Sequence, residues 1–170
     1  MFKKITFILL ILASGGLLLW LVNTNIPSSG ELVVEMKLGK DQTMITQLGP
    51  AVRVKLNADY QTVLESPVYF DLRSMPWFTK AQVRLVYQEA GLELTGLGGQ
   101  TGPGWGYDPQ KPLVISDLAE SEEGFQEAVF TFDLTKIYQQ KNVRRFLIAT
   151  DPTGGGGELR IKSLKIILSR

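Results

Sequence analysis

From residue 31 to the carboxyl terminus the chain repeatedly alternates apolar and polar residues with a period of two. In ELVVEMKL, residues 31–38, Leu32, Val34, Met36 and Leu38 share one face; in AVRVKLN, Val52, Val54 and Leu56 oppose Arg53 and Lys55. AQVRLVYQ places Val83, Leu85 and Tyr87 together, and AVFTFDL does the same for Phe130, Phe132 and Leu134. SPVYFDL, RRFLIAT and ELRIKSLKIILS extend the series. Successive side chains of a strand point to opposite faces, so each segment offers one face to a core and one to water. In the last segment the apolar phase shifts between Ile161 and Leu164, as a bulge or a change of face requires. Seven to nine short strands, Gly/Pro turns and no long amphipathic helical pattern predict an all-β fold. The expected architecture is an antiparallel β-sandwich with jelly-roll or Greek-key connections, with a closed barrel as the second choice.

One segment obeys different physics. Residues 5–22, ITFILLILASGGLLLWLV, carry no charge and as a helix span roughly 27 Å, against a hydrocarbon core of about 30 Å. A cleaved signal peptide needs small residues just beyond the apolar run, whereas here ASGG (residues 13–16) lies inside it and the exit reads NTNIPSSG. An uncleaved signal anchor is therefore expected over residues 1–23, followed by a linker at 24–30 and an extracytoplasmic sandwich at 31–170. Lys3 and Lys4 precede the span and no basic residue follows until Lys37, so a single-pass topology with a cytoplasmic amino terminus is expected. Trp20 suits an interfacial position near the exit.

The chain has 18 basic and 17 acidic residues, and only Lys3 and Lys4 of these precede the domain. So even a balance predicts no general attraction to nucleic acid. With neither cysteine nor histidine, disulfides, thiolate nucleophiles, Ser-His or Cys-His pairs and His/Cys zinc sites are all excluded. No cofactor, metal or catalytic residue is assigned, and a non-enzymatic role is expected.

The glycine-rich TGLGGQTGPGWGYDPQKP, residues 95–112, fails the dinucleotide fingerprint because Thr101 occupies the third glycine's place. DPTGGGGELR, with Gly154–Gly157, lacks the P-loop lysine. What residues 95–112 do contain is Trp105 and Tyr107 between glycines, and exposed rings on a loop can pack against the C–H faces of sugars. They are the expected ligand-binding residues; the competing reading folds Trp105 back as a plug over the sandwich edge in an unusually long connection. Trp77 and Phe78, in SMPWFTK, are expected to close one end of the core.

Asp71 and Asp133 occur in two Phe-Asp-Leu triplets, where capping a turn is the simpler role and a catalytic pair the sharper one. Asp117, Glu120, Glu122 and Glu123 supply oxygen ligands without EF-hand spacing, so a solvated loop is preferred to a calcium site. The basic residues of KNVRR and the terminal strand are expected on the solvent face.

FTFDLTKIYQQKNVRRFLIAT and ELRIKSLKIIL resemble the penultimate strands, turn and closing strand of the jelly-roll, galactose-binding-like sandwiches found in exported carbohydrate-binding modules. That resemblance implies a fold more than a ligand. The expected function is a membrane-anchored module binding a glycan or cell-envelope polymer. The alternatives are an assembly subunit docking on another envelope protein and, less favoured, a glycoside hydrolase.

Overall fold

The computed structural model describes residues 2–25, 30–117, 124–152 and 156–170. The apolar segment forms one helix, α1 (Phe2–Asn25), running two residues into the expected linker. Its Lys4–Val22 stretch is long and apolar enough to cross a membrane, and none of it is buried against the rest of the chain. The Ser14 hydroxyl donates to the Leu10 carbonyl at 2.8 Å, so this mid-helix polar group is satisfied without water.

The described residues of the remainder hold twelve strands, more than the seven to nine expected, because short edge pieces carry too few residues to show a period. One sheet runs β2 (Val54–Leu56), β3 (Gln61–Val63), β12 (Glu158–Ser169), β5 (Lys80–Ala90), β9 (Gln126–Asp133) and β8 (Leu113–Asp117). Strand β5 covers one edge of β12, while β3 and β1 (Leu32–Glu35) divide the other. The second sheet runs β10 (Gln139–Gln140), β11 (Val143–Pro152), β6 (Leu92–Gln100) and β7 (Tyr107–Gln110), with β4 (Val68–Arg73) also on β11. All strand pairs are antiparallel, and their division into two sheets makes a sandwich rather than the closed barrel.

The alternation places the core as expected: Val83, Leu85, Tyr87, Phe130, Phe132 and Leu134 are all buried. Phe146 stacks on Phe70 within its own sheet at 5.4 Å and meets Phe132 of the opposite sheet edge-on at 5.1 Å. That aromatic trio joins the two layers. In β12 the register shifts between Ile161 and Ser163, and this bulge keeps Leu159, Ile161, Leu164, Ile166 and Leu168 on the buried side.

Three expectations fail. Val52 is 86% exposed in a 3-10 turn, Ala51–Arg53, that precedes the strand, and Leu56 at the far end of the three-residue edge strand β2 is also exposed, so that of the three only Val54 packs against the core. Trp77 is exposed while Phe78 is buried; the corner admits one ring, and the other packs over it at 6.4 Å. Arg144 is not on the solvent face. It is buried, donating from Nη1 to the Ser74 hydroxyl at 2.6 Å and from Nε to the Leu134 carbonyl at 3.3 Å, and burial pulls its pKa down.

The crossing between sheets from β5 to β6 is made at Gly91, with φ of 97°. A Cβ there would lie 2.8 Å from the Gly157 Cα and 2.9 Å from the Gly156 carbonyl oxygen. Only glycine meets both demands.

A candidate ligand groove on the outer face of the five-stranded sheet

Residues 95–112 are not one long connection. Residues 95–100 belong to β6 and 107–110 to β7, which pair from Gln100↔Tyr107 to Leu97↔Gln110. Gly96 lets β7 lie this close, since a Cβ would stand 2.6 Å from the Gln110 carbonyl oxygen. The loop proper, 101–106, is pinned at its base by Thr101 N–H donating to the Gly106 carbonyl at 2.9 Å. Gln100 Nε2 donates across it to the Gly104 carbonyl at 2.7 Å.

The pinned loop carries Trp105 outward, 73% exposed, which excludes its role as a plug. It stands on the rim of a groove of about 540 Å³. Tyr107, Tyr138, Gln100, Lys141, Asp71 and Arg145 line the same groove. Asp71 and Arg145 are register partners on β4 and β11. Arg145 donates from Nε and Nη2 to the two Asp71 carboxylate oxygens at 2.7 and 2.9 Å, a two-pronged ion pair. Its guanidinium also lies 4.4 Å from the Tyr69 ring centroid, and the bonds to Asp71 raise its pKa.

Tyr107 is half-buried, and its hydroxyl oxygen is enclosed without a hydrogen-bond partner among the described residues. Burial raises its pKa, with the nearby Arg145 opposing and Asp71 reinforcing the shift. At neutral pH it is therefore an unspent donor and acceptor beside an ion pair. Buried hydroxyls ordinarily find partners, and this one, like Gln61 Oε1 and Thr150 Oγ1, has none among the described residues.

The sequence places Trp105 and Tyr107 on one loop; the structure keeps Trp105 on the loop, sets Tyr107 at the start of β7, and brings both to one groove. The sequence offers Asp71 as a turn cap or catalytic carboxylate and Lys141 and Arg145 as solvent-facing cations, and gives no sign that they meet Gln100 and Tyr138 in this groove. One signal was available for the arginines: consecutive residues of a strand face opposite ways, so Arg144 and Arg145 could not both face water. Asp71 is a strand residue held by Arg145 and caps nothing. Asp133 does cap: its Oδ1 accepts the Thr135 backbone N–H at 3.0 Å and the Thr135 hydroxyl, which holds its pKa low. The two carboxylates belong to different sheets and different partners. Of the acidic stretch, 118–123 lies outside the described residues, as do residues 153–155 of the second glycine run; no acidic cluster fit for a metal occurs among the described residues.

No protein-family model matches the sequence, and no curated protein does. Solved structures do. The chain is similar to the xylan-binding module CBM15, with a TM-score of 0.52 and 17% identity over 83% of this chain and 99% of that one. The fold is a jelly-roll β-sandwich. A second similar structure is TmCBM27, a carbohydrate-binding module described for mannan recognition, at 9% identity, covering 84% of this chain and 100% of that one; its TM-score of 0.44 is too low to bear on the argument. The likeness to CBM15 agrees with the architecture that the β-pattern predicted, and it is a likeness of fold alone.

Proposed function

We propose that this chain is a membrane-anchored, extracytoplasmic glycan-binding module. Residues 1–23 form the anchor, 24–30 the linker and 31–170 the binding domain, with Trp105 and Tyr107 contacting the ligand. The observation that carries this reading is the pairing, in one groove, of an outward indole with an enclosed hydroxyl that has no partner among the described residues. A sugar ring presents an apolar C–H face and a rim of hydroxyls, and an aromatic platform beside planar hydrogen-bonding groups complements both. The shared fold of a xylan-binding module supports the reading, and the apolar helix supports anchoring.

The test is native electrophoresis of the full chain in detergent micelles through gels containing individual soluble polysaccharides. Retardation by at least one polymer, lost in Trp105→Ala, is the expected result; a Trp105→Ala protein retarded as strongly as the parent overturns the site. Orientation is tested separately. The chain has no native cysteine, so the exposed Lys111, changed to Cys, is the sole target for a membrane-impermeant maleimide on intact cells. Labelling without lysis is expected, and labelling only after lysis reverses the topology.

Docking on another envelope protein is the second reading. It draws on an apolar recess of about 530 Å³ where Leu32, Met44, Met75 and Phe78 meet. Crosslinking in membranes that captures a protein through this recess, with no polysaccharide retarding the chain, would favour it.

A further inference from the structure

The same groove holds a charge imbalance that a neutral sugar does not use. Arg145 and Lys141 are the cations lining it, and Asp71 is the one carboxylate. Asp71 occupies Nε and Nη2 of Arg145, and Nη1 makes no hydrogen bond among the described residues. Lys141 is exposed and makes no ion pair there. Its backbone is also unusual. Lys141 and Asn142 form the two-residue turn between β10 and β11 with φ of 51° and 65°. This left-handed conformation is ordinary for asparagine or glycine and uncommon for lysine. The turn places Lys141 on the rim of the groove.

Resting on the glycan-binding reading above, we infer that the groove selects acidic glycans, receiving a uronic acid carboxylate between the Arg145 guanidinium, the Tyr107 hydroxyl and the Lys141 ammonium. The chemistry is complementary at each point. A carboxylate has acceptor sites for Arg145 Nη1 and for the phenolic O–H, and its charge offsets that of Lys141, all three being without partners among the described residues. Trp105 meanwhile receives the C–H face of the ring that bears it or of its neighbour. Sulfate and phosphate esters also pair with a guanidinium, but they are tetrahedral and bulkier than a planar carboxylate, so a sulfated probe separates selection by shape from a response to charge.

Calorimetric titration of the full chain in micelles, at fixed ionic strength, tests this with matched probes. These are oligosaccharides of galacturonate and of glucuronate, their methyl-esterified uncharged counterparts, and a sulfated dextran oligosaccharide. At least one uronate probe is expected to bind about tenfold more tightly than its ester, and more tightly than the sulfated probe. In Lys141→Asn, which suits the turn's backbone, that acid-to-ester ratio is expected to fall to about threefold or less. Equal affinity for acid and ester, or an undiminished ratio in Lys141→Asn, overturns the inference. So does a sulfated probe that binds as well as the uronates, since the groove then responds to charge alone. If the uronates and esters fail while a neutral polysaccharide retards the chain in gels, the charge selection is wrong and the glycan reading survives. If no polysaccharide of any kind binds, both fall.

Discussion

Tyr107→Phe separates a binding group from a structural one, because the two roles predict opposite signs for stability. The tyrosine hydroxyl is enclosed with no hydrogen-bond partner among the described residues, and burial is the main reason its pKa is raised. An unsatisfied buried polar group costs about 1–3 kcal/mol, and the half-buried ring argues for the lower end of that range. Removing the oxygen while keeping the ring should therefore stabilise the unliganded domain by about 1 kcal/mol. For a domain of this size that is a rise in Tm of roughly 2–4 °C. The same change deletes a hydrogen bond to the ligand, typically about 1 kcal/mol, so affinity should fall about fivefold. Scanning calorimetry of the unliganded protein and titration of the best-binding polysaccharide, on the same preparations, read the two effects. A variant that melts below the parent and binds equally well refutes the reasoning, since the hydroxyl would then serve the fold and not the ligand.

Two other substitutions probe the scaffold that presents the groove. The Tyr87 phenol in the core has its pKa pushed up to about 12, first by burial and then by Glu89 and Glu93. In the unfolded chain it ionises near 10, so between about pH 10 and 12 the unfolded state sheds a proton that the folded state keeps; this contribution to stability is complete below that window and lost as pH rises through it. Denaturant midpoints measured from pH 9 to 12 should fall less steeply in Tyr87→Phe than in the parent, and parallel curves would contradict the assignment. Gly91→Ala combines a positive φ with backbone atoms inside 3 Å of the new methyl, and should cost at least about 2 kcal/mol in equilibrium unfolding. A loss below about 0.5 kcal/mol would show that the β5–β6 crossing is looser than described.

How far the chain could be read in advance follows from where each signal resides. The long strands carried theirs locally. Val83, Leu85 and Tyr87 alternate with polar residues over enough positions to declare a buried face, and the lost phase in β12 announced its bulge. Val52 and Leu56 carried the same local signal and are exposed, because burial depends on whether another layer passes overhead. Arg144 is the converse: a charged residue on an inward position of a strand, made tolerable by the Ser74 hydroxyl and the Leu134 carbonyl from distant segments. Trp105 and Tyr107 stood out since aromatics among glycines are conspicuous. Asp71 and Arg145 did not show their partnership, because Asp71 reads as a turn cap or catalytic carboxylate and Arg145 as a solvent-facing cation until strand register sets them opposite one another.

By itself the sequence determined the chemistry available and the periodicity: a charge-free apolar run at residues 5–22, strands thereafter, no thiol or imidazole, and two aromatic residues near a tight turn. These are local properties, set by side-chain type and by the two-residue repeat of an extended backbone. Tertiary structure decided what could only arise between segments. It paired Asp71 with Arg145, turned Trp105 outward, and enclosed the Tyr107 hydroxyl without giving it a partner. Whether a ring forms a plug or a platform, and whether a polar atom is satisfied, are matters of distance between residues remote in sequence, and strand order and register set those distances.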